Sequence, residues 1–477
     1  MGVYMDVTTA TPPWGARPEM TDLEAVIWRA EVDPRLRSHG VVLDVLDATP
    51  DWDRLVAAHR WAVALVPRLR TRVVDDPLHL APPAWVPSDL DLDHHLCRIR
   101  LQPDDGFDRV LEIAETLYVT PFDVTRPLWQ AVLVEGVRPG TTAYLLKFHH
   151  AMADGQGTVQ LFDLLHSTRR APTADKVVPE AEPARPTSPA DLLLARSRRM
   201  AAGAPGSALR WASTAGRVAA HLALHPTTAL STATLTQSYL RSLARVSGPS
   251  VAPSPLLRHR GLSRRLRVLD VPLADLKAAG RAAGGTVNDA FLAALLGGLQ
   301  RYHDHHGISA ADLPTGLPVS VRTDSDDSGG NRFAGAFIAG PTSAMDPATR
   351  IRLVHERVVA VRAEPALDFV GATAPIASRL PSAALARIAL RTAQRLDLQA
   401  SNIPGLGRPA YLGGARIERM YVFGPVPGCA VMATLMSHEG ACGIGMATDH
   451  TAIPDPDRLL ADLRDALDDV LALGRVP

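Results

Sequence analysis

Apolar and polar positions change period repeatedly along the chain. Leu23, Val26 and Ile27 recur at helical spacing, and the segment from Trp52 to Leu69 continues that pattern. Leu96 to Leu101 and Trp129 to Val134 alternate, which predicts strands, and Ala143 to His149 reads as a further strand. Gly157 to His166 follows as a helix, with Val159, Phe162 and Leu165 at core spacing. In the second half Leu266 to Val271 alternates, a helix spans Leu273 to Ala283, Gly284-Gly285 breaks it, and another helix runs from Val287 to about Tyr302. Leu317 to Val321, Phe333 to Ala339 and Cys442 to Ala447 predict strands. A last helix carries Leu459, Leu460, Leu463, Leu467, Val470 and Leu471 on one stripe. Strands interspersed with helices in both halves predict an α/β (α+β) protein with mixed sheets rather than one continuous doubly wound sheet.

The 477 residues are enough for two or three domains, and 46% hydrophobic with 21% charged residues excludes a disordered chain. Fifty basic against 50 acidic residues leave no net charge, which argues against nucleic acid as a partner. Cys97, Cys429 and Cys442 show no metal or disulfide spacing and fit a reduced, cytoplasmic setting. The opening MGVYMDVTTATPPWG lacks a basic n-region and an apolar h-region, so no signal peptide is expected. Val218 to Leu240, though uncharged, holds too much His, Thr, Ser and Pro to span a bilayer.

The neutral total hides an asymmetry. Between Arg185 and Arg267 stand 13 Arg and one acid, Asp191, a balance of 13 − 1 = +12. Pro183, Pro186 and Pro189 open that stretch and Pro249, Pro253 and Pro255 close it. It divides the chain into 1–180, a basic Pro/Ala/Arg-rich helical linker at 181–262, and 263–477. The linker is either a solvated connector whose arginines pair with the acidic remainder, or a basic surface that meets anionic lipid headgroups, at a membrane or lipid droplet, or phosphate-bearing substrates.

The chemistry concentrates in His149-His150-Ala151-Met152-Ala153-Asp154-Gly155, where a strand ends and a helix begins. Side chains alternate along a strand, so only one of the two histidines can face a given cavity. A histidine at a strand end is well placed as a general base. Asp154 could orient that ring, pair with an arginine, or cap the following helix, and Gly155 relaxes the backbone. No third ligand completes a zinc site, and the clusters His94-His95 and His303-Asp304-His305-His306 sit in polar surroundings and are expected to be exposed, so no metal is expected. No GxGxxG, GxxxxGK[ST] or GxSxG occurs. Thr286-Val287-Asn288-Asp289 has capping-box spacing, which leaves Asn288 in the first helical turn among free N–H groups.

HHAMADG resembles the HHxxxDG signature of the bacterial wax ester synthase/diacylglycerol acyltransferase family, a relative of condensation domains and chloramphenicol-acetyltransferase-like enzymes. Further segments follow the family's order: Glu24-Ala25-Val26-Ile27-Trp28, Pro127-Leu128-Trp129, Asn288-Asp289, Pro318-Val319-Ser320-Val321-Arg322 with Gly330-Asn331-Arg332, and Ser401-Asn402-Ile403-Pro404-Gly405. The resemblance implies two chloramphenicol-acetyltransferase-like subdomains with the active site at their interface. It implies acyl-coenzyme A as a substrate, no cofactor, and diacylglycerol or a long-chain fatty alcohol as acceptor. His150 would be the base, His149 its support, and Asn288 would assist at the oxyanion or the ring. Asp154 would brace the loop against Arg322, and Asp289 would be structural. Gly155, Asn402, Pro127 and Trp129 would line the substrate site. The location implied is cytoplasmic or peripheral to a membrane. Leu406 and Met432 depart from the family pattern, where proline and asparagine are common, and bear on acceptor identity. The open alternatives are transfer from a carrier-protein thioester or onto a specialised metabolite, and a non-catalytic lipid-binding relative.

Overall fold

The computed structural model describes residues 14–172, 237, 241–243, 245–309, 311–320, 331 and 333–475. In the first half it contains α1 (Asp22–Ala30), β1 (His39–Leu46), α2 (Trp52–Leu65), β2 (Thr71–Val74), β3 (Ala84–Pro87), α3 (Leu92–His95) and β4 (Leu96–Arg100). There follow α4 (Gly106–Val119), β5 (Trp129–Arg138), β6 (Thr141–His149) and α5 (Gly155–Leu165). The second half opens with β7 (Arg264–Pro272), α6 (Leu273–Ala282), α7 (Val287–His305), β8 (Asp312–Ser320), β9 (Phe333–Pro341), α8 (Pro347–Arg362), α9 (Phe369–Ala377) and α10 (Ser382–Ala393). It closes with β10 (Leu398–Ile403), β11 (Tyr411–Leu412), β12 (Ala415–Phe423), β13 (Val431–His438), β14 (Ala441–Asp449) and α11 (Pro456–Ala472).

Two six-stranded mixed sheets carry the fold. One has the order β11-β12-β1-β6-β5-β4 and the other β7-β14-β13-β10-β8-β9. The first sheet is not built from the first half alone: β12 runs antiparallel to β1, with Val41 opposite Phe423 and Leu43 opposite Tyr421. The second half therefore lends two strands to the first, and the sequence boundary near residue 263 does not coincide with a boundary between sheets. β12 also lies across β13 and β14. Glycine makes this crossing possible, because a Cβ on Gly443 would stand 2.2 Å from Met420 O and one on Gly445 2.3 Å from Val422 O. A core shared by both sheets fills the junction, with Leu43, Val132, Leu145, Leu266, Phe423 and Met432 buried in it.

α7 is buried over most of its circumference, with α6, α8 and α11 packed around it. Gly298 permits the close approach of α11, since a Cβ there would meet Leu463 Cα at 2.7 Å. No described helix is long and apolar enough by itself to cross a membrane. α6 and α7 reach that length only together, and they are bent 90° apart at Gly284-Gly285.

Three expectations need local correction. The helix from Trp52 stops at Leu65, because Pro67 lacks the N–H for another turn and a short 3-10 turn, Pro67–Arg70, replaces it. Ser401 to Ile403 is not turn but the end of β10, paired in parallel with β13 so that Asn402 faces Leu435. The two histidine clusters are not uniformly exposed. His95 and His303 are buried, His95 bonding Trp129 O at 2.6 Å and His303 bonding Leu299 O at 2.7 Å and Ser254 Oγ at 2.8 Å. Most of the basic linker lies outside the described residues. Of its described arginines, Arg245 pairs with Glu364 and Arg260 forms a buried pair with Asp397, and just beyond it Arg264, Arg265 and Arg267 of β7 pair with Asp449, Glu115 and Asp457.

Candidate active site

The site begins with the last rung of β6. His149 stands opposite His39 on β1, and the strand pairing extends one residue further, with His150 N–H donating to Ser38 O at 2.7 Å. The chain then turns, Met152 N–H donating to His149 O at 2.9 Å. Ala151, Met152 and Ala153 are buried, so the loop is anchored by its apolar side chains. Asp154 caps α5 by accepting from Gly157 N–H at 2.7 Å. The capping role weighed for this residue is thus present. Arg322, its expected ion-pair partner, lies outside the described residues. Alternation sends the two imidazoles to opposite sides, His149 into the interior and His150 into a cavity.

Behind the loop, Ala151 N–H donates to His149 Nδ1 at 3.0 Å, which puts the ring proton on Nε2. That nitrogen stands 2.8 Å from Glu31 Oε1, within ion-pair reach though off the line of a straight hydrogen bond. Burial pushes Glu31 up, but His149, His39 and the Ser38 N–H outweigh it and leave the carboxyl below its ordinary value. Burial pushes His39 down to about 3 and Lys147 down to about 8. Lys147 donates to Thr120 O at 2.5 Å and lies 4.0 Å above the Phe122 ring. Glu31, His39 and His149 are the one group of three metal-capable donors close together among the described residues, within 4.8 Å of one another. With His149 Nδ1 already accepting, and its Nε2–H turned to Glu31, the three form a braced imidazole–carboxylate contact beside the Lys147 ammonium.

A second clamp comes from Asn331. Its Nδ2 donates to His150 O at 2.8 Å, while its own N–H donates to Glu24 Oε1 at 2.9 Å. Glu24 also closes the capping box of α1 with Thr21, so the N-terminal helix, the loop and Asn331 form one continuous set of bonds. Burial lowers the His150 imidazole, Asp154 draws it part-way back, His149 lowers it, and Asn331 raises it. The net position is below the ordinary imidazole value, so the ring is a neutral base at pH 7.

His150 looks into a cavity of about 780 Å³ whose walls come from both sheets and from α5, α6, α7 and α8. Phe148, Val159, Leu317, Phe333, Met432 and Met436 make its walls largely apolar. Phe333 meets the His150 ring edge-on at 5.8 Å. Gly155 lines the cavity and lets Ile403 close over it, since a Cβ would stand 2.9 Å from Ile403 Cδ1. Across from His150, Asn288 lies in the first turn of α7, and no hydrogen bond engages its amide among the described residues. Asp289 is buried and accepts from Thr286 N–H at 2.8 Å, with His355 Nδ1 2.8 Å away. Asn402 lines the same cavity from β10, and Met432 lines it where an amide was expected.

Pro127 and Trp129 are not brought to the cavity. Trp129 is buried against His95 and donates from Nε1 to Leu69 O at 2.7 Å, so a core hydrogen bond holds it on the far face of β5. Pro127 is buried beside it. A second cleft, of about 470 Å³, is lined by Glu115, Arg265, Arg267 and Asp457, whose charges pair with one another away from His150.

Residues 17–291 match the wax ester synthase/diacylglycerol acyltransferase catalytic domain, and residues 329–470 match the C-terminal domain of the same family. The chain belongs to this family. A Mycobacterium tuberculosis protein named as a diacylglycerol O-acyltransferase, Rv2484c, is 37% identical over 468 residues, covering 97% of this chain and 94% of the relative. A second from that organism, Rv1760, is 29% identical over 467 residues, covering 93% and 88%. The wax ester synthase/diacylglycerol acyltransferase of Marinobacter aquaeolei VT8 shares the fold with a TM-score of 0.63 at 19% identity, covering 96% of this chain and 100% of that one. The first condensation domain of the calcium-dependent antibiotic synthetase does so with a TM-score of 0.60 at 17% identity, covering 97% of each.

The protein is accordingly an O-acyltransferase of the wax ester synthase/diacylglycerol acyltransferase type. Several residues around its candidate centre carry no signal in the sequence. Glu31 and His39 stand among other charged and polar residues in the sequence; the pairing of β1 with β6 brings His39 to His149, and the turn after α1 brings Glu31 there. Asn331 stood in a quoted motif with no role attached. Thr434 lines the cavity with a buried hydroxyl that finds no hydrogen-bond partner among the described residues, and nothing in its strand distinguishes it from a core threonine.

Proposed function

We propose that this acyltransferase moves the acyl group of acyl-coenzyme A onto the hydroxyl of diacylglycerol or a long-chain alcohol, with His150 as general base. The carrying observation is a neutral imidazole, held at its backbone by Ser38 and Asn331, facing a largely apolar cavity between two sheets. His150 takes the hydroxyl proton as the alcohol oxygen forms its bond to the thioester carbonyl. Charge then develops on the carbonyl oxygen, where the Asn288 amide and the free N–H groups of the first turn of α7 can donate. Collapse breaks the C–S bond, and the thiolate recovers the proton from His150. No enzyme nucleophile, metal or resident cofactor takes part in this reading.

The test is an acceptor panel with palmitoyl-coenzyme A and purified protein, comparing the unaltered enzyme with His150→Ala. Ester formation with hexadecanol or diacylglycerol is expected, insensitive to chelators, and reduced about a thousandfold in the variant. An unaltered enzyme that esterifies neither acceptor, or a variant that retains full rate, would overturn the reading.

A further inference from the structure

A large apolar side chain left singly in solvent is ordinary, but a group of them is not. One corner of the molecule holds such a group. The two most exposed among the described residues, Ile376 (73%) and Leu78 (70%), stand there with Leu80 (61%). They come from opposite halves of the chain, and hydrogen bonds fix the two segments together. His79 Nδ1, between the two leucines, donates to Leu380 O at 2.8 Å. Arg29 of α1 pairs with Asp75, donates to Ala81 O at 2.8 Å, and also reaches Ser378 O. The loop that carries the leucines is itself braced. Buried Asp76 accepts from Leu78 N–H at 2.9 Å and from Leu80 N–H at 3.0 Å, and both side chains are left outside.

The charge around this corner is of one sign. From Phe369 to Leu396, through α9 and α10, the chain carries Arg379, Arg387, Arg391 and Arg395 and no acid. α10 packs Ala386, Ala389, Leu390 and Ala393 against Ala30 and Leu36. Its outer stripe is Arg387, Ile388, Arg391 and Arg395, all of them exposed. No ion pair of Arg387 or Arg391 occurs among the described residues. The acids beside the corner are already engaged, Asp22 with Ser378 and Arg379, Asp75 with Arg29, and Asp76 within its own loop.

Protruding apolar tips beside arginines without acid partners match a surface that is anionic outside and apolar within. A protein partner would need a separate pocket for each tip, whereas acyl chains yield to any shape. Guanidinium groups suit phosphate oxygens, which accept two parallel hydrogen bonds from them. We propose that this corner rests on an anionic lipid surface. Leu78, Leu80 and Ile376 enter the acyl region, while Arg387 and Arg391 meet the headgroup phosphates. None of these residues lines the cavity at His150. The surface is therefore distinct from the candidate active site, and lipid binding can be read without any acyl transfer. It also gives the molecule one orientation on the lipid, with the corner of α9 and α10 facing it.

The full-length protein can be floated with vesicles of phosphatidylcholine alone, or mixed in equal parts with phosphatidylglycerol, across a range of lipid concentrations. It should bind the anionic vesicles roughly tenfold more tightly than the neutral ones, and less tightly as salt rises. Leu78→Ser/Leu80→Ser/Ile376→Ser should weaken anionic binding about a hundredfold, and Arg387→Ala/Arg391→Ala about tenfold. Leu164→Ser, at an exposed leucine of α5 next to the Asp163–Arg408 pair, should bind as the unaltered protein does. Every substituted side chain is exposed, so thermal melts of the variants should coincide with that of the unaltered protein. A protein that ignores anionic vesicles overturns the proposal. So do corner variants that bind as tightly as before, which would assign the lipid contact to the Arg-rich linker that both leave intact. Dimers of the unaltered protein that the serine variant splits, with vesicle binding unchanged, would make the corner an interface between copies and overturn it as well.

Discussion

At the scale of single residues, the base role proposed for His150 depends on what surrounds its backbone as much as its ring. Ser38 and Asn331 hold its N–H and C=O, and His149 with Glu31 holds the turn behind it. Asn331→Ala is expected to lower kcat about tenfold while the melting temperature moves little, since a looser base costs rate before it costs stability. Steady-state kinetics beside a thermal melt checks this; an equal fall in both would make Asn331 a merely structural residue. The pH profile carries a second expectation. With His150 below the ordinary imidazole value of 6.5, the acidic limb of kcat/KM should have its midpoint below that value, and raising the pH should not abolish activity until well past neutrality. The placement of His150 at a strand end before a capped helix was legible in the sequence because strand end, loop and cap lie within seven residues; its catalytic role came from the family resemblance and stays a proposal. Trp129 was misread for a related reason: an aromatic residue beside a recognised motif says nothing about which face of its strand is buried.

At the scale of elements, two local devices decide whether the site exists. The first is the cap of α5. Asp154→Asn keeps a side-chain oxygen for Gly157 N–H, whereas Asp154→Ala loses it, so the alanine variant should be about 1 kcal/mol less stable than the asparagine one. Denaturant melts of the pair measure the difference, and equal midpoints would assign Asp154 elsewhere. The second device is the crossing of β12 over β14. A side chain at Gly445 would have to enter the Val422 carbonyl, and backbone cannot rotate away as a side chain can. Gly445→Val should therefore cost several kcal/mol and much of the soluble yield. A normal melt for that variant would mean the sheets stand further apart than their glycines imply. The strand β14 was readable from its alternation, but the need for its glycines was not, because the clashing backbone lies more than twenty residues away.

At the scale of the whole molecule, buried imidazoles make stability depend on pH. Burial pushes His39 down to about 3 and His166 down to about 4. Below pH 6.5 the unfolded chain binds protons that the native protein refuses, so their contribution is present above that pH and is lost on acidification towards those values. Asp44 runs the other way. Burial pushes it up to about 8, so the unfolded chain ionises from about 3.8 upward while the native protein does not, and stability declines towards pH 8. His59, His95, His150 and His303 are also lowered, against the raised carboxyls Glu24 and Asp397, so the imidazoles prevail on the acid side. Thermal stability is expected to peak near pH 6.5, and Asp44→Asn should flatten the decline between there and pH 8. An unaltered alkaline limb in that variant would show Asp44 to be ionised in the native protein.

What the sequence determined by itself is short in range. The capping box Thr286–Asp289, the break at Gly284-Gly285, the stripe of α11 and the strand-end histidine followed by its cap all arise from contacts among residues within a turn or two of each other. A linear pattern can express these. The tertiary structure alone decided which strands share a sheet, with β12 reaching back to β1 across nearly the whole chain. It alone put Asn331 and Glu31 around the histidines and the loop of Leu78 and Leu80 against the corner of α9 and α10. The reason is physical. Capping and alternation are satisfied by the backbone nearby, whereas a cavity is the space left when distant surfaces pack, and its lining depends on all of them at once.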